Sequence, residues 1–152
     1  MLPEADYQAL KGFLRYFSEK HMPVGNLPKD LWPIALIEKL ETTSQSKAER
    51  SLLMGINDII EMSARWLPPQ VLDLDKELTG AGLPSLSALR KKYSKAYQKT
   101  LARGRIVSEV EYYFLKGVAD SNVVENAKEK AQVESLLREY LQRVQAGRHR
   151  RA

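Results

Sequence analysis

No cysteine occurs among the 152 residues of this chain, which removes disulfides, thiolate nucleophiles, iron–sulfur clusters and cysteine-ligated zinc from consideration. Histidine is nearly as scarce. His21 and His149 stand at a helix end and in the C-terminal tail. They lack the H-x-x-x-H or H-E-x-x-H spacing by which one helical face holds a metal, so each reads as a solvated side chain. Long apolar runs are missing too. Leu31 to Ile37, the longest, contains Pro33 and falls far short of the roughly 20 residues that cross a bilayer. Where a secretory leader would place basic and then apolar residues, Met1 to Lys11 carries Glu4 and Asp6. The chain therefore reads as cytoplasmic, with no membrane partner.

The catalytic motifs are absent as well. Gly80 and Gly82 form a lone G-x-G without a preceding strand, and no G-x-x-x-x-G-K-[ST] or G-x-S-x-G occurs. Asp73, Asp75 and Glu77 imitate the start of a calcium loop, but Leu78 stands where the sharp turn needs glycine and Pro84 where the bidentate glutamate belongs. Glu109 and Glu111, two residues apart on a helix, diverge by about 200°, and Asp58 with Glu61 reads as a surface pair. The expectation is a protein without cofactor, metal or catalytic activity.

The last absence is the most informative. From Thr79 to Ser108 there is no Asp or Glu, while Arg90, Lys91, Lys92, Lys95, Lys99, Arg103 and Arg105 all fall within this stretch. Setting aside these seven and the tail residues Arg148, Arg150 and Arg151 leaves 14 of the 24 basic residues against 19 acidic ones. The net charge of +5 is thus regional, which suits a localised anion-facing surface better than general stickiness.

What is present is helical spacing almost throughout. Hydrophobic residues at 43% and charged residues at 28% are ordinary for a globular protein, and no run of alternating β-branched residues is flanked by hairpin turns. The reading is an all-α, compact single-domain bundle of about six to seven helices over residues 1–146, with 147–152 as a disordered basic tail. Tyr7, Leu10, Phe13, Leu14 and Phe17 mark the first helix. Leu31, Ile34, Ile37 and Leu40 mark the second, capped by Asp30. Ser46 and Glu49 have capping-box spacing before a third helix, buried through Leu52, Ile56, Ile59, Ile60 and Ser63 and stopped by Pro68-Pro69. A short helix covers Gln70 to Leu78.

One helix from Ser85 to Arg103 places Leu86, Leu89, Tyr93, Ala96, Tyr97 and Thr100 inward and Lys91, Lys92, Lys95, Lys99 and Arg103 across the opposing arc. Gly104 closes it, and Ser108 with Glu111 opens the next. Ser108 to Ala119 is apolar on nearly every side, which predicts a central helix and, if its neighbours fail to cover Tyr112, Phe114 and Leu115, a homodimer. A final helix, capped by Asn122 with Glu125, carries Leu136, Leu137, Tyr140, Leu141 and Val144.

A helix, a tight turn and a second helix beside a basic surface invite a DNA-reading arrangement, but Glu109 and Glu111 would bring negative charge to the groove. Tyr93 and Tyr97 read as packing residues with hydroxyls at the rim, and Trp32 and Trp66 as packing residues too. The sequence reads as a non-catalytic interaction or regulatory module. It would bind a macromolecule, an acidic protein surface or nucleic acid, through the basic helix 85–105. The alternative is a non-specific DNA- or RNA-binding protein using that helix and the C-terminal tail. Against both stands compensation within the chain, by Glu125, Glu129, Glu134 and Glu139 of the final helix.

Overall fold

A computed structural model describes residues 2–22 and 26–151, with the side chains of 148–151 left undescribed. Eight α-helices and no strand occur among them: α1 (Glu4–His21), α2 (Pro33–Glu41), α3 (Gln45–Met62), α4 (Pro68–Gly80), α5 (Leu86–Tyr93), α6 (Lys95–Arg103), α7 (Glu109–Asp120) and α8 (Ala127–Arg151). A single 3-10 turn, Lys29–Leu31, precedes α2. The all-α bundle is as expected, with one helix more than the upper count because the basic helix is two.

The first three helices pack on one another, and α7 packs against α4, α5, α6 and α8. Contacts of α3 with α5 join the two groups, and buried side chains from all eight helices form one continuous cluster. Phe13 and Phe17 of α1 are wholly buried with stacked rings 5.9 Å apart. Each such side chain contributes roughly 1.5 to 3 kcal/mol by leaving water. Phe17 continues the stack to Trp66 at 6.2 Å, which bears out the packing role of that indole. The bare Gly12 lets the loop before α5 approach α1, since a Cβ there would stand 2.7 Å from the Leu83 side chain.

The caps correct several expected boundaries. Ser44, not Ser46, opens α3, with its Oγ accepting from the Lys47 N–H at 3.3 Å. Glu49 is turned elsewhere and accepts from the Leu2 N–H at 2.7 Å. Asp30 lies inside the 3-10 turn, and Trp32 precedes α2, where Pro33 fills the first position, whose missing N–H costs nothing. Pro68 and Pro69 do the same at the start of α4. α8 is capped by Asn126, whose Oδ1 accepts from the Glu129 N–H at 2.9 Å, because Asn122 is spent in a left-handed turn at φ 59°. The backbone of α8 is helical through Gly147 to Arg151, and Ala152, the last residue of the expected tail, lies outside the described residues. A single glycine costs a helix only about 1 kcal/mol, and basic residues suit a helix C-terminus.

The central helix is covered within one chain. Tyr112, Phe114 and Leu115 are 9%, 5% and 1% exposed, so the aromatic content of α7 gives no argument for a second copy. α8 supplies part of the cover, with Tyr140 stacked on Tyr112 at 5.1 Å.

Candidate interaction surface

Ser94 divides the basic stretch. Its backbone is extended, φ −71° and ψ 119°, and it serves as the last cap of α5 and the first of α6. Its N–H donates to the Arg90 carbonyl at 3.0 Å, and its Oγ accepts from the Tyr97 N–H at 3.1 Å. Serine favours this local bonding over helix interior, so the sequence carries its own stop and restart. The break changes the helical phase, and the two halves use their charges differently.

In α5 the cations turn inward or find acidic partners. Arg90, expected to contribute to the partner-binding surface, is fully buried. Its Nη2 donates to the Ser63 carbonyl at 2.6 Å and lies 3.2 Å from Ser63 Oγ, and its guanidinium rests on the Phe114 ring 4.3 Å from the centroid. Nε and Nη1 have no hydrogen-bond partner among the described residues. Burial pushes the guanidinium down to about 10, opposed by the carboxylate of Asp75, so it stays charged at neutral pH. Asp75 is itself buried and accepts from the Ser87 N–H at 3.1 Å and from the Ser87 hydroxyl. The stretch that imitated a calcium loop therefore fixes α5 to α4. Lys91 pairs with Glu129 of α8 at 3.6 Å and Lys92 with Asp6 of α1 at 3.4 Å.

In α6 and the turn after it the pattern reverses. Lys95 and Lys99 are exposed, one helical turn apart, and neither has an acidic partner among the described residues. Arg105 is exposed and likewise without one. Arg103 is the exception, donating to Glu111 at 2.9 and 3.2 Å and to the Arg105 carbonyl at 3.1 Å. Gly104, in the left-handed region at φ 73°, closes α6 as expected. Ser108 caps α7 as expected, but the Glu111 carboxylate accepts from the Val107 N–H at 2.9 Å.

Compensation within the chain is thus real but partial. Of the final-helix glutamates, only Glu129 pairs with the basic stretch among the described residues, while Asp6 and Glu111 were not anticipated.

Beside α6 the break leaves a cleft of about 170 Å³ between α3, α6 and α7. Ile60 of α3 and Ala64 in the turn just after it form one wall, Ala96 and Thr100 the α6 wall, and Val110, Phe114 and Leu115 the α7 wall. Asn57, Glu61, Lys95 and Glu111 supply most of the polar lining. The two hydroxyls that reach it are already engaged, Ser94 as cap and Thr100 Oγ1 donating to the Ala96 carbonyl at 2.9 Å. Sequence reading missed the cleft because a single helix through Ser94 would have none. The one available signal was the serine itself, three residues before the tyrosine whose N–H it caps.

Other expected roles are settled nearby. Tyr97 is 1% exposed, and its hydroxyl, expected at a rim, is buried without a partner among the described residues. Burial, with the Glu129 charge adding to it, pushes its pKa up to about 12. His21, expected in solvent, lies 3.5 Å from Glu77 with its ring against Phe17 and Trp66. Among the described residues no cluster of three or more histidine or carboxylate side chains is placed to hold a metal, and no helix is long and apolar enough to cross a membrane. Arg148, His149, Arg150 and Arg151 have side chains outside the described set. Compared with family models, with curated proteins and with solved structures, the chain matches none.

Proposed function

We propose that this protein is a non-catalytic helical interaction module that holds an acidic segment of another protein against α6 and the turn behind it. The reading rests on one observation: within the basic stretch, the exposed cations without an acidic partner among the described residues are Lys95, Lys99 and Arg105, all on the far side of Ser94. Like charges at i,i+4 oppose helix formation by roughly 0.2 to 0.5 kcal/mol. A carboxylate-rich partner would relieve that repulsion. An acidic protein is favoured over a phosphate backbone because the free cations border a mainly apolar cleft, which a polypeptide can fill with an apolar side chain and a phosphate backbone cannot.

Nucleic acid remains the second reading, supported by the same three cations. About three phosphate contacts would give a salt slope near −2 to −3. The cytoplasm is the proposed location, a compartment compatible with a cysteine-free chain, and immunofluorescence of the tagged chain tests it.

The experiment is fluorescence anisotropy across a salt series with three labelled probes: a glutamate-rich helical peptide of about 14 residues, single-stranded RNA and duplex DNA. Wild type should bind the peptide most tightly, more weakly as salt rises, with an affinity loss of about ten-fold or more in a folded Lys95→Glu/Lys99→Glu variant. Preference for RNA or DNA, lost in the same variant, would replace the acidic-protein reading with the second one. No binding at low salt would overturn both.

A further inference from the structure

The cleft beside α6 has the size and chemistry of a receptor for one side chain. A cavity of about 150 Å³ lined by aliphatic and aromatic groups accepts a benzene ring, whereas sites for drug-sized ligands run from about 300 to 1,000 Å³. At about 170 Å³ the cleft belongs with the first class. Its floor is apolar, through Ile60, Ala64, Phe114 and Leu115, and the buried Arg90 guanidinium, which does not line the cleft, packs 4.3 Å from the Phe114 ring centroid.

The rim is polar and divided by sign. On the α6 side stands Lys95, with Lys99 one turn further along, both exposed and lacking an acidic partner among the described residues. On the α3 side stand Asn57 and the exposed Glu61. The α7 carboxylate, Glu111, is already occupied by Arg103 and the Val107 N–H. One exposed apolar side chain, Met54 at 64%, shares the α3 stripe of Asn57 and Glu61 at i, i+3 and i+7 spacing.

We infer that this cleft is the anchor pocket of the interaction surface, taking a single Leu, Phe or Trp side chain from an amphipathic helix whose acidic flank lies along Lys95 and Lys99. An apolar groove with anchors at helical spacing is a recurring mode of peptide capture, and a buried aromatic or aliphatic anchor dominates such contacts. The charges on α6 select the flank, and the cleft selects the residue. The inference rests on the acidic-segment reading above and adds what that segment must carry at its centre.

The test is a phage-displayed library of amphipathic helices of about 14 residues in which the flanking polar positions and the central position are both randomised. It is selected in parallel against wild type, Lys95→Glu/Lys99→Glu and Ala96→Phe. Ala96 is exposed on the α6 wall, so the added ring fills the cleft from its rim without entering the core. Val110→Phe plugs it from α7 should the first variant not fold.

Wild type should enrich acidic flanks and, at the central position, Leu, Phe or Trp over Ala by about ten-fold or more. Ala96→Phe should keep the acidic enrichment and lose the apolar preference. Acidic enrichment without an apolar preference, or a preference that survives both plugs, would overturn the anchor pocket and leave the acidic-segment reading standing. Absence of acidic enrichment in wild type, or its persistence in Lys95→Glu/Lys99→Glu, would overturn that reading and the anchor pocket with it.

Discussion

α5 and α6 are neighbours of almost equal length, 8 and 9 residues, cut from one basic stretch, and they spend their positive charge in opposite ways. In α5, Arg90 is buried against Ser63 and Phe114 within the electrostatic influence of Asp75, and Lys91 and Lys92 reach Glu129 and Asp6 on other helices. In α6, Lys95 and Lys99 point to solvent beside an apolar cleft. Charge density along a sequence therefore says little about charge available to a partner. The break at one serine separates the buried or paired cations of α5 from Lys95 and Lys99, which face outward without an acidic partner among the described residues.

The comparison is most sharply tested at Arg90. Arg90→Ala removes a buried cation, leaves the Ser63 carbonyl and Asp75 without their neighbour and opens a cavity, at a cost of about 3 to 5 kcal/mol. Urea unfolding should show it as a large drop in midpoint. Arg90→Met keeps most of the volume and removes the unpartnered donors, so its cost should be smaller by about 1 kcal/mol or more. Lys95→Glu/Lys99→Glu should by contrast shift stability by no more than about 0.5 kcal/mol, as expected of exposed charges. Equal effects at the two sites would erase the distinction between the halves.

Ser94→Ala comes next. Losing the Oγ that caps the Tyr97 N–H should cost about 1 kcal/mol, and the circular-dichroism melting midpoint should fall accordingly. If the break is also what opens the cleft, this substitution should weaken anchor selection beyond its effect on stability.

Tyr97 carries a pH dependence of similar size. Its folded pKa, about 12, lies above the ordinary 10.0, so ionisation favours the unfolded chain. The stability tied to the neutral hydroxyl is complete below pH 10 and is lost as pH rises toward 12. Wild type should lose on the order of 1 kcal/mol more than Tyr97→Phe across that interval. Parallel unfolding curves for the two proteins at alkaline pH would contradict the assignment. The smallest expected effect is at Lys91, where Lys91→Ala removes a part-exposed ion pair and should cost less than about 0.5 kcal/mol by urea unfolding.

Much of the fold was legible in the chain because apolar spacing reports burial directly. Leu52, Ile56, Ile59, Ile60 and Ser63 are all buried as their spacing required, and Gly104 closes α6 because few other residues accept φ 73° without strain. Caps were less legible, since several polar residues near a helix start compete and tertiary partners choose among them. Glu49, drawn to the Leu2 N–H, is such a case. The site was legible in composition and hidden in detail. Helical phase does tell Arg90 from Lys91, since Arg90 stands four residues after Leu86 and three before Tyr93 on the inward side, but its partners Ser63 and Phe114 are 27 and 24 positions away in sequence and not visible locally. The cleft was invisible for the same reason, its walls coming from three helices.

The most direct measurement compares two charge reversals of equal size, Lys91→Glu/Lys92→Glu in α5 and Lys95→Glu/Lys99→Glu in α6, for binding to the glutamate-rich peptide at one salt concentration. Both change net charge equally, so long-range attraction falls alike, and only local contact differs. An affinity loss about ten-fold greater for the α6 reversal is the predicted result. Equal losses, or a greater loss for α5, would contradict the claim that α6 carries the outward-facing charge.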